Sequence, residues 1–234
     1  MAGKAALQQI VEGNAQLRQD GPGPCRVLVM SGLPLSGKSH IVDLILGSAP
    51  GRFLLVRSDE VRPYVANSLG RQRPSYDAIE HVTTFMAASE VVRLGLTLNW
   101  PVIADATNLR EEFRRWAYGP ADAFKAPVLV AFMQVTDETA LARLSERDRD
   151  GSAATFAVYR KLSYEAEPVD RCTKPYVVID SDGDMRPHAK ALAEWLSGSA
   201  DAVPGQKNPA GNKAGQRPKE ETGHLDFYTG ERVD

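Results

Sequence analysis

The segment Gly32-Leu33-Pro34-Leu35-Ser36-Gly37-Lys38-Ser39 constrains the fold of this chain more than any other feature. It follows an apolar run at 26–30 that is rich in valine and leucine, as expected for a strand buried between helices. It precedes an apolar helical pattern at 41–46, which ends at the sequence GSAPG. The order strand, glycine-containing loop and helix is that of the first unit of an α/β fold.

The spacing Gly-x-x-x-x-Gly-Lys-Ser is typical of a loop that binds nucleotide phosphates. Glycines let backbone N–H groups turn towards phosphate oxygens, and the helix N-terminus adds positive potential. The residues predicted to bind ATP are Gly32, Leu33, Pro34, Leu35, Ser36, Gly37, Lys38, Ser39 and His40. Lys38 would reach the β- and γ-phosphates, and Ser39 would ligate Mg²⁺. The alternative is an ordinary glycine-rich turn.

Leu35 occupies a position where many such loops have glycine. A side chain that pointed into the loop would obstruct the phosphates. The Leu35 side chain is therefore expected to point out of the phosphate cradle.

Strand-like and helix-like segments alternate along most of the chain, which predicts an α/β fold with a parallel sheet covered by helices. Strands are predicted near 26–30, 53–57, 101–105, 127–135 and 176–180, and helices near 38–47, 76–98, 109–118, 137–148, 153–165 and 186–197. An N-terminal helix and linker (1–24) precede one domain (25–198). A polar tail rich in Gly, Pro and Lys (199–234) is predicted to be disordered and dispensable for folding.

Composition excludes several classes of protein. The chain has 234 residues, 43% of them hydrophobic, which suffices for one full core. Two cysteines and four histidines provide neither a disulfide framework nor metal-ligand spacing. With a net charge of −2 and no long apolar run, the chain is predicted to be cytoplasmic, without membrane contact. Nucleic acid remains a possible partner through a local basic patch, and whether the chain has a partner protein is not indicated by the sequence.

A second motif, RSDEVR, comes directly after the second predicted strand. Asp59 lies just beyond the strand end, on the edge of the sheet where ligand groups gather in parallel folds. Its carboxylate could accept the proton of an attacking hydroxyl, and Arg62 could bind an acceptor anion. The alternative is a helix cap provided by Ser58 or Asp59.

The third motif, DATNLREEFR, begins at the end of another apolar strand. Asp105 could assist Mg²⁺ or hold an active-site arginine such as Arg62. Thr107 is a candidate for substrate binding, but for Thr107 and Asn108 a helix cap is the expected role.

The fourth motif, RLSERDR, places Arg143 and Arg147 four residues apart on one helix face. Arginines so placed can close over ATP and neutralise charge on the transferred phosphoryl group. The alternative is a solvent-exposed face paired with neighbouring acidic residues.

In this order, the four motifs resemble the P-loop kinase family that includes the 5′-kinase domain of bacteriophage polynucleotide kinase, zeta toxins and chloramphenicol phosphotransferase. The resemblance covers roughly residues 25–197 and implies a P-loop NTPase three-layer sandwich that uses ATP and Mg²⁺. The resemblance also implies the roles of individual residues: Lys38 and Ser39 for phosphates and metal, Asp59 as general base, Arg62 on the acceptor, Asp105 in support, and Arg143 and Arg147 in a lid.

Other classes lack their signatures. The chain has no Asn-Lys-x-Asp sequence for guanine, and no strand ends in the Asp-Glu pair of an ATPase motor. The sequence YVVIDSDGD superficially resembles the start of a haloacid-dehalogenase phosphatase, but only about fifty residues follow it, too few for that domain. It is predicted to be the last strand and a loop beside the adenine.

The expected activity is phosphoryl transfer from ATP to a hydroxyl of a small molecule. A polynucleotide 5′-hydroxyl is the main alternative, because the segment 52–73 contains five arginines against two acidic residues. That segment has Tyr64 but no clear series of aromatic residues on which successive bases could stack. An inactive ATP-binding module is the third possibility.

Overall fold

The computed structural model describes residues 25–48, 53–147 and 156–209, with two short pairs at 224–225 and 232–233. The predicted N-terminal helix and linker, and most of the predicted tail, lie outside the described residues. As far as residue 105 the elements are β1 (Val27–Gly32), α1 (Lys38–Ser48), β2 (Leu54–Arg57), α2 (Ser58–Ser68), α3 (Ala78–Thr97) and β3 (Val102–Asp105). They continue with α4 (Glu111–Ala123), β4 (Val128–Gln134), α5 (Asp137–Arg147), α6 (Phe156–Glu165), β5 (Tyr176–Asp180), α7 (Arg186–Leu196), β6 (His224–Leu225) and β7 (Arg232–Val233).

Five strands form one sheet in the order β2-β3-β1-β4-β5, and every neighbouring pair in it is parallel. The predicted α/β fold with a parallel sheet is therefore confirmed. Since β1 is central, the loop that follows it emerges in the middle of the carboxyl edge. The register places Met30 of β1 beside Asp105 of β3, and Asp105 beside Arg57 of β2.

Side chains of β1 alternate between two apolar layers, as the period of two in a strand requires. Val27 and Val29 pack into the layer that contains α3 and α4, whereas Leu28 and Met30 pack into the layer of α1 and α7. The sheet is thus covered on both faces, which is the predicted three-layer arrangement. None of the helices in the described part of the chain combines the length and apolar character needed to cross a bilayer.

Helix α2 is absent from the sequence prediction. Its sequence SDEVRPYVANS is mostly polar and contains Pro63, which lacks the N–H that a helix interior needs. Val61 and Val65 nevertheless lie buried against the sheet, and their packing outweighs the weak local preference. The strand-to-helix transition occurs between Arg57 and Ser58, so Asp59 lies in the first helical turn.

The packed domain continues beyond residue 198, where the sequence predicted the tail to begin. Val203 is buried in the same apolar layer as α1 and α7. Lys207 pairs with Tyr176 through two backbone hydrogen bonds of 2.9 and 2.7 Å and so extends the sheet edge at β5. Arg26 Nη1 donates to the carbonyls of Trp195 and Ala200 at 2.7 and 2.6 Å. Val203 is the one buried residue of this polar segment and gave no periodic signal, which is why the sequence prediction placed the boundary too early.

Truncation after Gly198 is accordingly expected to destabilise the domain. It removes the buried Val203 side chain and the two Lys207 hydrogen bonds, together worth about 2–4 kcal/mol. Thermal unfolding should shift down by roughly 5–10 °C. The matched control is truncation after Pro209, which keeps these contacts and should leave the melting temperature unchanged. Equal melting temperatures for the two truncations would show that residues 199–209 add nothing to stability.

Candidate active site

The glycine-containing loop runs from the end of β1 to the start of α1 at the centre of the sheet edge. Gly32 leaves no room for a side chain, because a Cβ there would lie 2.6 Å from Ser36 Oγ and 2.9 Å from the Met133 carbonyl oxygen. Gly37 has φ +81°, which favours glycine. The loop therefore needs glycine at both positions, at Gly32 because there is no space for a side chain and at Gly37 because of its backbone conformation.

Lys38 lies across this loop. Its Nζ donates to the carbonyl oxygens of Gly32 and Leu33, both at 2.8 Å. Both acceptors are backbone carbonyl oxygens of the loop itself, so the Lys38 ammonium is held against the loop. The loop thus presents a positive group where a phosphate would lie.

The donors around the loop fit a nucleotide with its metal. The hydroxyl of Ser36 is buried and has no hydrogen-bond partner among the described residues, so a phosphate oxygen could satisfy it. Ser39 is exposed in the first turn of α1. The described residues contain no group of three His, Cys, Asp or Glu side chains that could hold a metal. A hydroxyl plus phosphate oxygens is nevertheless a donor set that suits Mg²⁺, which usually keeps few protein ligands.

Asp105 is buried at the end of β3, next to the loop. Burial raises its pKa, while Lys38 and Arg57 oppose that rise and the Asp59 charge adds to it. Its Oδ2 accepts a hydrogen bond from Arg57 Nε at 3.0 Å. Asp105 ends β3, Asp59 follows the end of the neighbouring strand β2, and Lys38 follows the loop after β1, so these three predicted residues lie at the same edge of the sheet.

Arg57 was not predicted to have a site role. It lies beside Asp105 in the neighbouring strand and also contacts Asp43 at 3.3 Å and Glu60 at 3.5 Å. Its position at the end of β2 was the one available signal, but the sequence analysis named Arg62 as the arginine that Asp105 could hold. The structure selects Arg57, so the proposed contact between Asp105 and Arg62 is absent from the described residues.

Asp59 is exposed in the first turn of α2. The N-cap position belongs to Arg57, and no side chain of that residue caps the helix. The alternative in which Ser58 or Asp59 is the N-cap is therefore wrong. Within the described residues no hydrogen bond or ion pair engages the Asp59 carboxylate, which leaves it available to an acceptor.

Arg62 is buried one turn further along α2. Its Nη1 lies 3.4 Å from Glu80 Oε1, and its guanidinium lies under the Tyr76 ring, 4.6 Å from the ring centroid. The Nε atom is buried without a hydrogen-bond partner in the described part of the chain. Arg62 thus lies buried one turn from Asp59, in contact with Glu80 and Tyr76, and its Nε–H donor has no partner among the described residues.

Glu80 is the acidic partner of Arg62 and also binds the backbone of the turn before α3. Its side chain is fully buried, and burial alone would raise its pKa. Hydrogen bonds from the backbone N–H groups of Ser75 and Tyr76, at 2.8 and 3.1 Å, instead lower the pKa to about 2. The same contacts hold Tyr76 at φ +58° with its ring 64% exposed.

The Asn108 side chain connects the turn after β3 to the end of β1. The prediction that Asn108 caps a helix is therefore wrong. Its Nδ2 donates to the Met30 carbonyl at 2.8 Å, and its Oδ1 accepts from Trp116 Nε1 at 2.9 Å. Glu167 binds the N-terminus of α4 instead, through the Glu111 N–H at 2.6 Å. The Thr107 side chain is also not at the N-cap, which is Arg110, and the Thr107 carbonyl accepts from Gly32 N at 2.9 Å.

Arg143 contacts the loop from α5. It donates to the Leu35 carbonyl at 2.9 Å, and to the hydroxyl and carbonyl of Ser181 at 3.1 and 2.8 Å. It therefore links the loop to the segment after β5. Arg147 is the last residue of α5, and its side chain lies outside what the structure describes.

A cleft of about 910 Å³ opens beside the loop at the ends of β1, β4 and β5. Its lining includes Gly32 and Leu33, Phe132, and the carboxylates of Asp180 and Asp182. None of the described residues that line it is basic. Phosphate would be repelled there, whereas an uncharged ring system could bind against the apolar part.

Comparisons with known proteins agree with this geometry. Residues 27–169 match the model of the AAA domain family, and the chain belongs to that family. This confirms the kinase-like P-loop family predicted from the four motifs. No curated protein matches the chain.

Solved structures share its fold at low sequence identity. A putative kinase from Chloroflexus aurantiacus has a TM-score of 0.59 and 14% identity, over 77% of this chain and 100% of that chain. The APS kinase of Mycobacterium tuberculosis in complex with AMPPNP and APS has a TM-score of 0.53 and 17% identity, over 75% and 99%. A gluconokinase from Sinorhizobium meliloti has a TM-score of 0.51 and 16% identity, over 77% and 97%.

Proposed function

We propose that this protein is an ATP- and Mg²⁺-dependent kinase that transfers the γ-phosphoryl group to a hydroxyl of a small molecule. The observation that carries the proposal is the placement of Lys38, Asp59 and Asp105 at one edge of the sheet, with Asp59 exposed. The Lys38 ammonium would bind oxygens of the transferred phosphoryl group, and the Asp59 carboxylate would accept the proton of the hydroxyl. These are the two charges that phosphoryl transfer needs from a protein.

Lys38 would exchange its two loop carbonyl partners for oxygens of the β- and γ-phosphates. Loop N–H groups and the Ser36 hydroxyl would hold the remaining oxygens, and Ser39 would hold Mg²⁺, which neutralises phosphate charge when bound. The adenine or the ribose would lie near the segment after β5.

Asp59 would accept the proton of the acceptor hydroxyl. The hydroxyl oxygen forms a bond to the γ-phosphorus as the bond from that phosphorus to the β,γ-bridging oxygen breaks, so ADP leaves and a phosphate ester remains. Arg57 would hold the Asp105 carboxylate in place through its hydrogen bond. Arg62 would bind an anionic group of the acceptor through its unused Nε. Thr107, on the same edge, would contact the acceptor, and Arg147 would approach the phosphates from α5.

The structural relatives support this proposal. One of them is an APS kinase in complex with AMPPNP and APS, and another is a gluconokinase. At this level of identity they establish the fold, and the acceptor of the present chain is left to experiment.

A polynucleotide 5′-hydroxyl is the second candidate, and one observation favours it. Sequence analysis found no series of aromatics in 52–73, but folding places the exposed Tyr76 ring over Arg62. On α3 the His81 and Phe85 rings also lie in contact, with centroids 4.8 Å apart, and Phe85 packs against the core. Bases stack on such rings while an arginine binds a phosphate.

The two acceptors are separated by a transfer assay with γ-labelled ATP. A panel of small hydroxyl compounds and a 5′-hydroxyl oligonucleotide are each tested at low and high salt. We expect label on a small molecule, with little salt dependence. Labelled oligonucleotide, with binding that falls by roughly 0.7 log units per phosphate contact for each tenfold rise in salt, would instead assign the polynucleotide activity.

A further inference from the structure

The phosphate loop has an unusual backbone conformation at Leu35. Leu35 has φ +68°, in the left-handed region that residues with side chains rarely adopt. Glycine would adopt this conformation without strain. A leucine at this position therefore requires a compensating contact.

That contact is with the helix pair α5–α6. The Leu35 side chain is 9% exposed and packs with Ala140 and Leu144 of α5 and Tyr159 of α6. Leu33 and Val135 cover the edge of this apolar cluster. The phosphate loop thus turns its apolar side towards the helix pair, which also confirms that Leu35 points out of the cradle.

Polar contacts reinforce the same junction. Arg143 of α5 donates to the Leu35 carbonyl at 2.9 Å. The Tyr159 hydroxyl donates to Asp137 Oδ1 at 2.9 Å, which ties α6 to the first turn of α5. Arg147 lies one turn beyond Arg143 on α5, so the position of this helix relative to the loop determines where its arginines can reach.

We propose that Leu35 is a positioning residue that fastens the phosphate loop to the helix pair α5–α6, so that nucleotide binding and the placement of the pair depend on each other. The proposal rests on the proposed function only in that ATP occupies the loop. A nucleotide that orders the loop would stabilise the helix pair through the apolar cluster. Conversely, loss of the cluster would weaken nucleotide binding without touching any phosphate contact.

The decisive variant is Leu35→Gly, because strain and packing predict opposite results. Glycine relieves the backbone strain but removes the apolar contact. If loop conformation alone mattered, Leu35→Gly would bind AMPPNP with Mg²⁺ as tightly as wild type or more tightly. Our proposal predicts binding about 10-fold weaker for Leu35→Gly and for Leu35→Ala. Leu35→Met, which keeps most of the apolar contact, should stay within about threefold of wild type.

A double-mutant cycle tests whether the contact with α5 is responsible. Leu144→Ala should weaken AMPPNP binding in calorimetry, and the double variant with Leu35→Ala should lose little more than either single variant. Additive losses would overturn the proposal. Melting temperatures identify any variant that fails to fold.

Hydrogen exchange gives a readout that does not depend on the cycle. AMPPNP should slow amide exchange in α5 of wild type but much less in α5 of Leu35→Gly. Equal protection in both proteins would overturn the proposal while leaving the kinase function intact. If wild type does not bind AMPPNP at all, the proposed function fails and this proposal fails with it.

Discussion

Replacing Asp59 with asparagine is expected to lower the rate of phosphoryl transfer by about 10²-fold or more. The amide has nearly the same size but cannot accept the proton of the acceptor hydroxyl. Asp59 is exposed and does not occupy the N-cap of α2, so the folded state loses little. AMPPNP affinity and melting temperature should therefore remain those of wild type.

The control for Asp59→Asn is Glu90→Gln, which removes a carboxylate from the exposed side of α3, where it pairs with Arg93. Its transfer rate should match that of wild type. If Asp59→Asn retained full turnover, or if it melted well below wild type at unchanged turnover, Asp59 would have a structural role and the acceptor hydroxyl would need another base.

Replacing Lys38 with alanine is expected to reduce transfer to background, by about 10³-fold or more. Its Nζ is the positive group tied to the loop carbonyls of Gly32 and Leu33, and no uncharged side chain can replace it at the β,γ-phosphates. The loop backbone should persist, because Gly32 is also bound through its N–H to the Thr107 carbonyl.

Lys190→Ala provides the matched control for Lys38→Ala. Lys190 is an exposed lysine of α7 that pairs with Glu194. This variant should transfer phosphate at the wild-type rate. Unchanged turnover in Lys38→Ala would contradict the assignment of the loop as the site of phosphoryl transfer.

The parts of the fold that were predictable have strong local patterns. Buried strands read as short apolar runs, and the loop at 32–39 has fixed spacing, so both could be recognised from the sequence. Helix α2 could not be recognised, because its polar residues and Pro63 disfavour a helix. It is stabilised only by the packing of Val61 and Val65 against the sheet, which the sequence does not show. The end of the domain was missed for a related reason, since Val203 is a single buried residue in a polar segment.

In the candidate active site, too, some features could be predicted from local sequence and others depend on tertiary packing. The positions of Lys38, Asp59 and Asp105 follow from strand ends, which a parallel sheet collects on one edge. The partner of Asp105 depends on which strands are neighbours, and β2 next to β3 places Arg57 beside it. The cap expected at Asn108 was wrong because the Met30 carbonyl and Trp116, both distant in sequence, bind its side chain instead.

Tyr76 illustrates what sequence reasoning could not reach. It lies outside the arginine-rich segment 52–73, and its ring reaches Arg62 because Glu80, from the following helix, fixes the backbone of the turn. Leu35 is the converse case. Its outward direction was predicted from the space that phosphates need, but its partners became visible only when α5 and α6 were seen to pack on the loop.

The central claim is that the γ-phosphoryl group leaves ATP for a hydroxyl at this loop. The most direct test incubates the wild-type protein with γ-labelled ATP, Mg²⁺ and a mixture of small hydroxyl metabolites, and separates the products. We predict labelled phosphate ester formed together with ADP by wild type, about 10²-fold more slowly or worse by Asp59→Asn, and only at background level by Lys38→Ala. Label that stays on ATP or appears only as inorganic phosphate, across mixtures that represent all hydroxyl classes and 5′-hydroxyl oligonucleotides, would contradict the account.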